Sequence, residues 1–123
     1  MLKPQKEFPL LERYSKVFPI TEFTIFAYDG DIYCNYPLPP DLIVHEETHL
    51  KQQEKYGLDN WVEEYLNDKE FRLKMEVEAY KKQLASIKDR EFRFHVKQDC
   101  IDTLTSSLYG NLCTKEEAKI LLK

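Results

Sequence analysis

Residues 45–49 read His-Glu-Glu-Thr-His, and this short stretch limits what the chain can fold into more than any other feature. Histidines at i and i+4 lie one turn apart on the same helix face, so a helix here presents two imidazoles in one direction. Extended both ways, the pattern predicts a helix that Asp41 opens as N-cap and that runs to about Tyr56, closed by Gly57. On it Leu42, His45, Glu46, His49, Gln53 and Tyr56 share one stripe, while Glu47, Lys51, Glu54 and Lys55 gather opposite. The second group is an ordinary solvated face, so the histidine stripe faces inward. Burying imidazoles and a carboxyl without partners costs about 1–3 kcal/mol for each unsatisfied group. A metal ion is the partner this pattern suits, and the fold must bring it a further ligand.

A catalytic zinc takes three protein ligands and leaves a fourth position for water. The downstream histidine spacings of metzincins and SprT-like proteins are not met, since position 55 is Lys and position 53 is Gln. A carboxylate from a later helix is the remaining source, and Glu76 and Glu78 are the leading candidates. In a helix expected from about Lys69 to Lys88, Leu73, Val77, Tyr80, Leu84 and Ile87 form the apolar stripe. Glu76 sits between Leu73 and Tyr80 on that side, whereas Glu78 points away with Lys74 and Lys81. A carboxylate on a core-facing stripe needs a charge partner, so Glu76 is the expected third ligand to one zinc per chain. Glu46, beside the first ligand, is placed to take a proton from metal-activated water.

With these residues in place, His45-Glu-x-x-His49 followed by Glu76-Val-Glu-Ala79-Tyr80 resembles the small gluzincins, including the minigluzincins and the ImmA/IrrE-like peptidases. The resemblance covers roughly residues 23–85. It implies a zinc metallopeptidase acting on a peptide or protein substrate, with Glu46 as base and then acid, and an edge strand beside the active-site helix to hold extended substrate. Tyr80, Tyr109 and His95 are candidates for stabilising the developing oxyanion, and Tyr80, one turn beyond Glu76, joins Glu46 as the expected catalytic pair. Asp41, Gln52, Gln53 or a backbone group would hold the outer ring nitrogens of the histidines.

Elsewhere, Phe23 to Tyr28 and Asp31 to Asn35, joined by Asp29-Gly30, read as a β-hairpin in the span Thr21 to Asn35. Residues 1–20, with Pro4, Pro9 and Pro19, read as an irregular or partly helical arm. Leu58, Trp61, Val62, Tyr65 and Leu66 mark a short helix, broken at Asn67-Asp68. Phe92, Phe94 and Val96 alternate as in a strand, while Val96, Cys100, Ile101, Leu104 and Leu108 suit a helix, placed from about Gln98 to Tyr109. Gly110-Asn111 would stop it, and Thr114 with Glu117 would open a last helix through Leu122. The expected fold is α+β, mostly helical and zincin-like, a single domain over residues 1–123 with a small antiparallel sheet beside the metal helix.

Composition excludes several partners. The 22 acidic and 18 basic residues are spread along the chain and leave a net charge of -4, with no basic footprint for nucleic acid. The N-terminus lacks the apolar core of a signal peptide and no run is long enough to span a bilayer, so the expectation is a cytoplasmic chain with no membrane partner. Three cysteines, Cys34, Cys100 and Cys113, have no paired spacing and are assigned to packing. Nothing in the pattern sets an oligomeric state. The competing functional expectation is a catalytically silent protein that keeps the zincin scaffold and binds a partner as an accessory factor.

Overall fold

The computed structural model describes residues 2–106 and 109–123. Asp29 and Gly30 adopt φ values of 48° and 85°, the two positive angles of a type I′ turn, which Gly and Asp tolerate best. The turn joins β2 (Phe26–Tyr28) to antiparallel β3 (Asp31–Tyr33), with Ala27 opposite Ile32. The strands are shorter than the expected hairpin. The residues ahead of β2 are drawn into a turn instead, because Gln5 Nε2 donates at 2.8 Å to both Thr21 O and Thr24 O, and Thr21 N donates to Thr24 Oγ1.

The N-terminal arm differs from its sequence reading. Leu2–Lys3 forms a strand, β1, which pairs parallel with β3, so the sheet is mixed, in the order β1-β3-β2. A parallel partner far along the chain leaves no local pattern to read. The arm continues through a 3-10 turn (Gln5–Glu7) and α1 (Leu11–Ser15), and buries Phe8 and Tyr14.

Four longer segments carry the rest of the helical content: α2 (Pro40–Tyr56), α3 (Leu58–Asn67), α4 (Lys69–Ala85) and α5 (Arg90–Leu104), followed by α6 (Lys115–Leu121). Asp41 is not the N-cap of α2. Pro40 takes the first helical position after an extended Pro39, where a missing N–H costs nothing, and this moves Asp41 inside the helix and into the core. Gly57, at φ 88°, separates α2 from α3. The Asp68 side chain caps α4 through the Glu70 and Phe71 amides, and α4 stops at Ala85, short of Lys88. The α5 helix begins eight residues earlier than Gln98, since Asp89 caps it by accepting from Phe92 N at 2.8 Å. The strand-like alternation of Phe92, Phe94 and Val96 thus lies on helix, with both phenyls exposed. Leu108, expected on this stripe, lies outside the described residues. The Thr114–Glu117 capping box is present, and α6 ends at Leu121.

Two apolar clusters flank the α2–α4 contact. One joins Phe8, Tyr14, Phe26 and Tyr33 of the arm and hairpin to Trp61, Val62, Tyr65, Leu66 and Met75. The other packs Tyr80, Leu84 and Ile87 against Cys100, Ile101, Leu104, Ala118 and Leu122. Buried Arg72 joins the two regions: Nε donates to Tyr65 O at 2.7 Å, Nη2 to Leu66 O at 3.0 Å and Nη1 to Tyr109 O at 2.8 Å. It thereby satisfies carbonyls at the end of α3 that have no partner within the helix. All three cysteines are free, with Cys34 and Cys100 buried. Among the described residues no helix is long and apolar enough to cross a membrane. The architecture is α+β and mostly helical, as its sequence pattern indicates.

Candidate metal centre

Every buried residue of α2 is polar: Asp41, His45, Glu46, Thr48, His49, Gln52 and Gln53. This face is turned toward α4 and β2, and the inward stripe that contains the histidines is borne out. Glu76 comes from α4, with only 1% of its surface exposed, and meets both histidines. His45 Nε2 lies 3.2 Å from Glu76 Oε1, and His49 Nε2 lies 3.0 Å from Oε2. The three ligating atoms fall within 4.8 Å of one another, so this buried group can hold one metal ion. Glu78 is exposed and accepts from Gln52 Nε2 at 2.7 Å, which makes it a surface acid and not a ligand.

The hydrogen bonds behind the rings set their tautomers. His45 Nδ1 is 3.0 Å from Gln83 Oε1 and His49 Nδ1 is 2.9 Å from Gln52 Oε1. Both amides are oriented by their other ends, since Gln83 Nε2 donates to Asp41 Oδ2 at 2.8 Å and Gln52 Nε2 donates to Met75 O at 3.0 Å. Each amide oxygen can only accept, so each Nδ1 carries a proton. In a neutral imidazole the lone pair then sits on Nε2, facing the carboxylate. Lone pairs set against a carboxylate at this distance require a cation between them, either a proton or a metal ion. The donor set fits a metal on this ground.

Without a metal, the proton takes that place. Burial alone would lower His49, but Glu76 beside it pushes it up to about 9. Burial alone would raise Glu76, and the two imidazoles overcome this and hold its carboxyl well below the usual range. The raised His49 stabilises the metal-free fold fully below its ordinary value of 6.5 and loses that contribution as pH rises through about 9. The depressed Glu76 contributes above its ordinary value of 4.5 and loses this as pH falls. Metal-stripped protein should therefore be most stable between these two ordinary values, and its melting temperature should fall as pH is raised through about 9. Metal-loaded protein should show no such fall over the same interval, because the ion takes the place of the His49 proton and the unfolded imidazole is already neutral there. Thermal melts with and without a chelator check this, and parallel curves would contradict it.

Glu46 lies beside these ligands, buried, with no hydrogen bond to its side chain among the described residues. Burial pushes its carboxyl up, against the pull of His45 and His49. It lines a cavity of about 570 Å³ together with His45, His49 and Glu76. Tyr80 and Tyr109 line the same cavity, their hydroxyls 3.2 Å apart, and the Tyr80 ring lies 4.5 Å from that of His45. Burial raises both phenols well above their usual value, which keeps them as donors. His95 is exposed on α5 and is not part of the cavity wall, because α5 turns that position outward.

Of the expected outer partners, Gln52 holds His49 directly. Asp41 acts one step removed through Gln83, and Gln53 instead ties α2 to the hairpin, donating to Ala27 O at 2.8 Å and accepting from Asp29 N at 3.1 Å. That contact occupies part of the strand edge expected to receive substrate. Two residues escaped the sequence reading. Gln83 lies two turns from Glu76 on the same face of α4, a spacing that could have revealed it. Tyr65 donates to Glu76 Oε2 at 2.6 Å from a separate helix and has no sequence signal beyond its apolar stripe. Replacing Gln83 by Leu should weaken metal affinity about 10–100-fold, since the ring of His45 loses its orienting acceptor; competition against a chromogenic chelator measures this.

No family model, curated protein or solved structure matches the chain. The functional reading therefore stands on the geometry of this site.

Proposed function

We propose that the chain is a zinc-dependent peptidase of gluzincin type, with His45, His49 and Glu76 as metal ligands and Glu46 as general base. The observation that supports this most is the convergence of two Nε2 lone pairs and a carboxylate at one buried point, next to an unpaired carboxyl that opens on a cavity. Two imidazoles and one carboxylate are a donor set that suits zinc. Only three ligands converge among the described residues, whereas structural zinc sites are usually closed by four.

A bound ion would supply Lewis acidity, polarising a carbonyl and acidifying water. With an ion held by His45, His49 and Glu76, the Glu46 carboxylate would be the group that accepts a proton from water and returns it to the leaving nitrogen. Its raised affinity for protons, caused by burial, suits a base that must hold a proton before passing it on. Tyr80 and Tyr109 share one hydrogen bond between two hydroxyls, so one O–H of the pair is left to donate into the cavity toward developing negative charge. Tyr65 and the two glutamines keep the ligands in place while this happens.

Elemental analysis of protein purified without a metal-affinity tag tests the reading. About one zinc per chain, with cleavage of an unfolded protein substrate that a chelator stops and zinc restores, is the expected outcome. No zinc after reconstitution would overturn it. Zinc without turnover, together with stable capture of a partner, would favour the accessory-factor function.

A further inference from the structure

The wall of the cavity carries two large apolar side chains that the fold leaves in solvent. Phe23 is 67% exposed and Phe92 is 48% exposed, and both line the space that reaches the metal ligands. They come from different elements, the segment before β2 and the first turn of α5. Neither belongs to a loose segment. Phe23 N donates to Thr21 Oγ1 at 3.2 Å, its carbonyl accepts from Tyr36 Oη at 3.1 Å, and its ring rests 6.2 Å from that of Tyr36. Phe92 N is fixed by the Asp89 cap. Exposed phenyls on fixed backbone keep apolar surface in water at the mouth of a cleft, a feature of surfaces that receive an apolar group. Leu42 and Val96, both partly buried, line the same space.

Outside the positively charged cluster of His45 and His49, the charged side chains of the wall are acidic. Asp41, Glu46, Glu76 and Asp99 line it, and no Lys or Arg does among the described residues. Asp41 is already bonded to Gln83 and Glu76 is committed to the histidines, but the Glu46 side chain has no hydrogen bond among the described residues and Asp99 is exposed on α5. Such a wall attracts cationic groups and repels carboxylates. No Lys or Arg among the described lining residues is there to hold the carboxylate of a chain terminus.

We infer that the substrate is an internal peptide segment with a bulky apolar residue flanked by basic residues, its apolar side chain gripped between Phe23 and Phe92 and its basic neighbours drawn to the acidic wall around Asp99. This rests on the peptidase reading for what happens to the segment, and not for its binding.

The test separates the two. Trp61 is the chain's only tryptophan and lies 5.6 Å from the His49 ring in the same cavity, so its fluorescence reports occupancy. Zinc-loaded Glu46→Gln protein is titrated with blocked heptapeptides free of Trp and Tyr. One has a central Phe flanked by Lys, a second has Glu in place of Lys, and a third has Ser in place of Phe. The first should bind at least ten-fold more tightly than either of the others. Phe23→Ala and Phe92→Ala should each weaken it roughly ten-fold, and Asp99→Asn should narrow the Lys-over-Glu preference without changing the Phe-over-Ser preference. In the protein with Glu46 intact, the phenylalanine variants should act mainly on KM. Equal binding of the three peptides, or binding unmoved by either phenylalanine variant, overturns the inference even if the protein cleaves peptides. Selective binding with no turnover by zinc-loaded wild type upholds it and overturns the peptidase reading instead.

Discussion

Glu46→Gln protein should bind zinc as the wild type does and hydrolyse peptides about 10²–10⁴-fold more slowly, the span associated with loss of a positioned general base. The expectation follows from where the carboxyl sits. It is buried at 7% exposure, adjoins both imidazoles through its position on α2, and makes no side-chain hydrogen bond among the described residues. Glutamine has nearly the same shape and can still donate and accept hydrogen bonds, so the site should not collapse, but it cannot hold a transferred proton. The drop should appear in kcat and kcat/KM together, because the proton transfer belongs to the transition state. Zinc content and steady-state rates on the same preparation decide the matter. Undiminished cleavage at full zinc content would remove Glu46 from the mechanism.

The second large effect belongs to Glu76. Glu76→Ala should lose most of its zinc and should also destabilise the metal-free protein, by about 3–5 kcal/mol if the His49 proton then lacks its counter-charge. Three groups depend on this one carboxylate: His45 Nε2, His49 Nε2 and the Tyr65 hydroxyl, at 3.2, 3.0 and 2.6 Å. With it gone, two imidazoles and a phenol are left buried without the acceptor that oriented them. Urea unfolding in the presence of a chelator measures the stability loss, and metal analysis measures the affinity loss. The pair of results has a specific signature. Tyr65→Phe should retain zinc with only a reduced affinity, since it removes one hydrogen bond to the ligand and no ligand. Full zinc occupancy in Glu76→Ala would mean the third ligand lies elsewhere.

How much of this could be read in the chain depends on the range of each interaction. The stripe on α2 was legible because helical periodicity alone decides which residues share a face. His45, Glu46, His49 and Gln53 of that stripe are buried, with charged Glu47, Lys51, Glu54 and Lys55 on the other side, whereas Asp41, Thr48 and Gln52 join the buried face from outside the expected stripe. Glu76 over Glu78 was legible for the same reason. The Asp29-Gly30 turn and the Thr114–Glu117 capping box are likewise local chemistry, and both are present.

Where prediction failed, a distant partner had intervened. Phe92, Phe94 and Val96 alternate like a strand, but the Asp89 cap and the packing of Cys100, Ile101 and Leu104 against α4 hold them in helix. Asp41 looked like a cap until Pro40 took the first turn and Gln83, from another helix, claimed its carboxylate. The arm gave no sign of a strand, since β1 acquires its hydrogen bonds only from β3.

The sequence by itself determined that the candidate ligands His45 and His49 share one inward polar face, because this follows from the fixed spacing of side chains along one helix. Tertiary structure alone decided which groups orient those ligands. Gln83 reaches His45 from α4, Tyr65 reaches Glu76 from α3, and the exposed Phe23 and Phe92 line one cavity. The physical reason is that a hydrogen bond or an apolar contact depends on position in space, and only the packing of separate elements brings these residues within range.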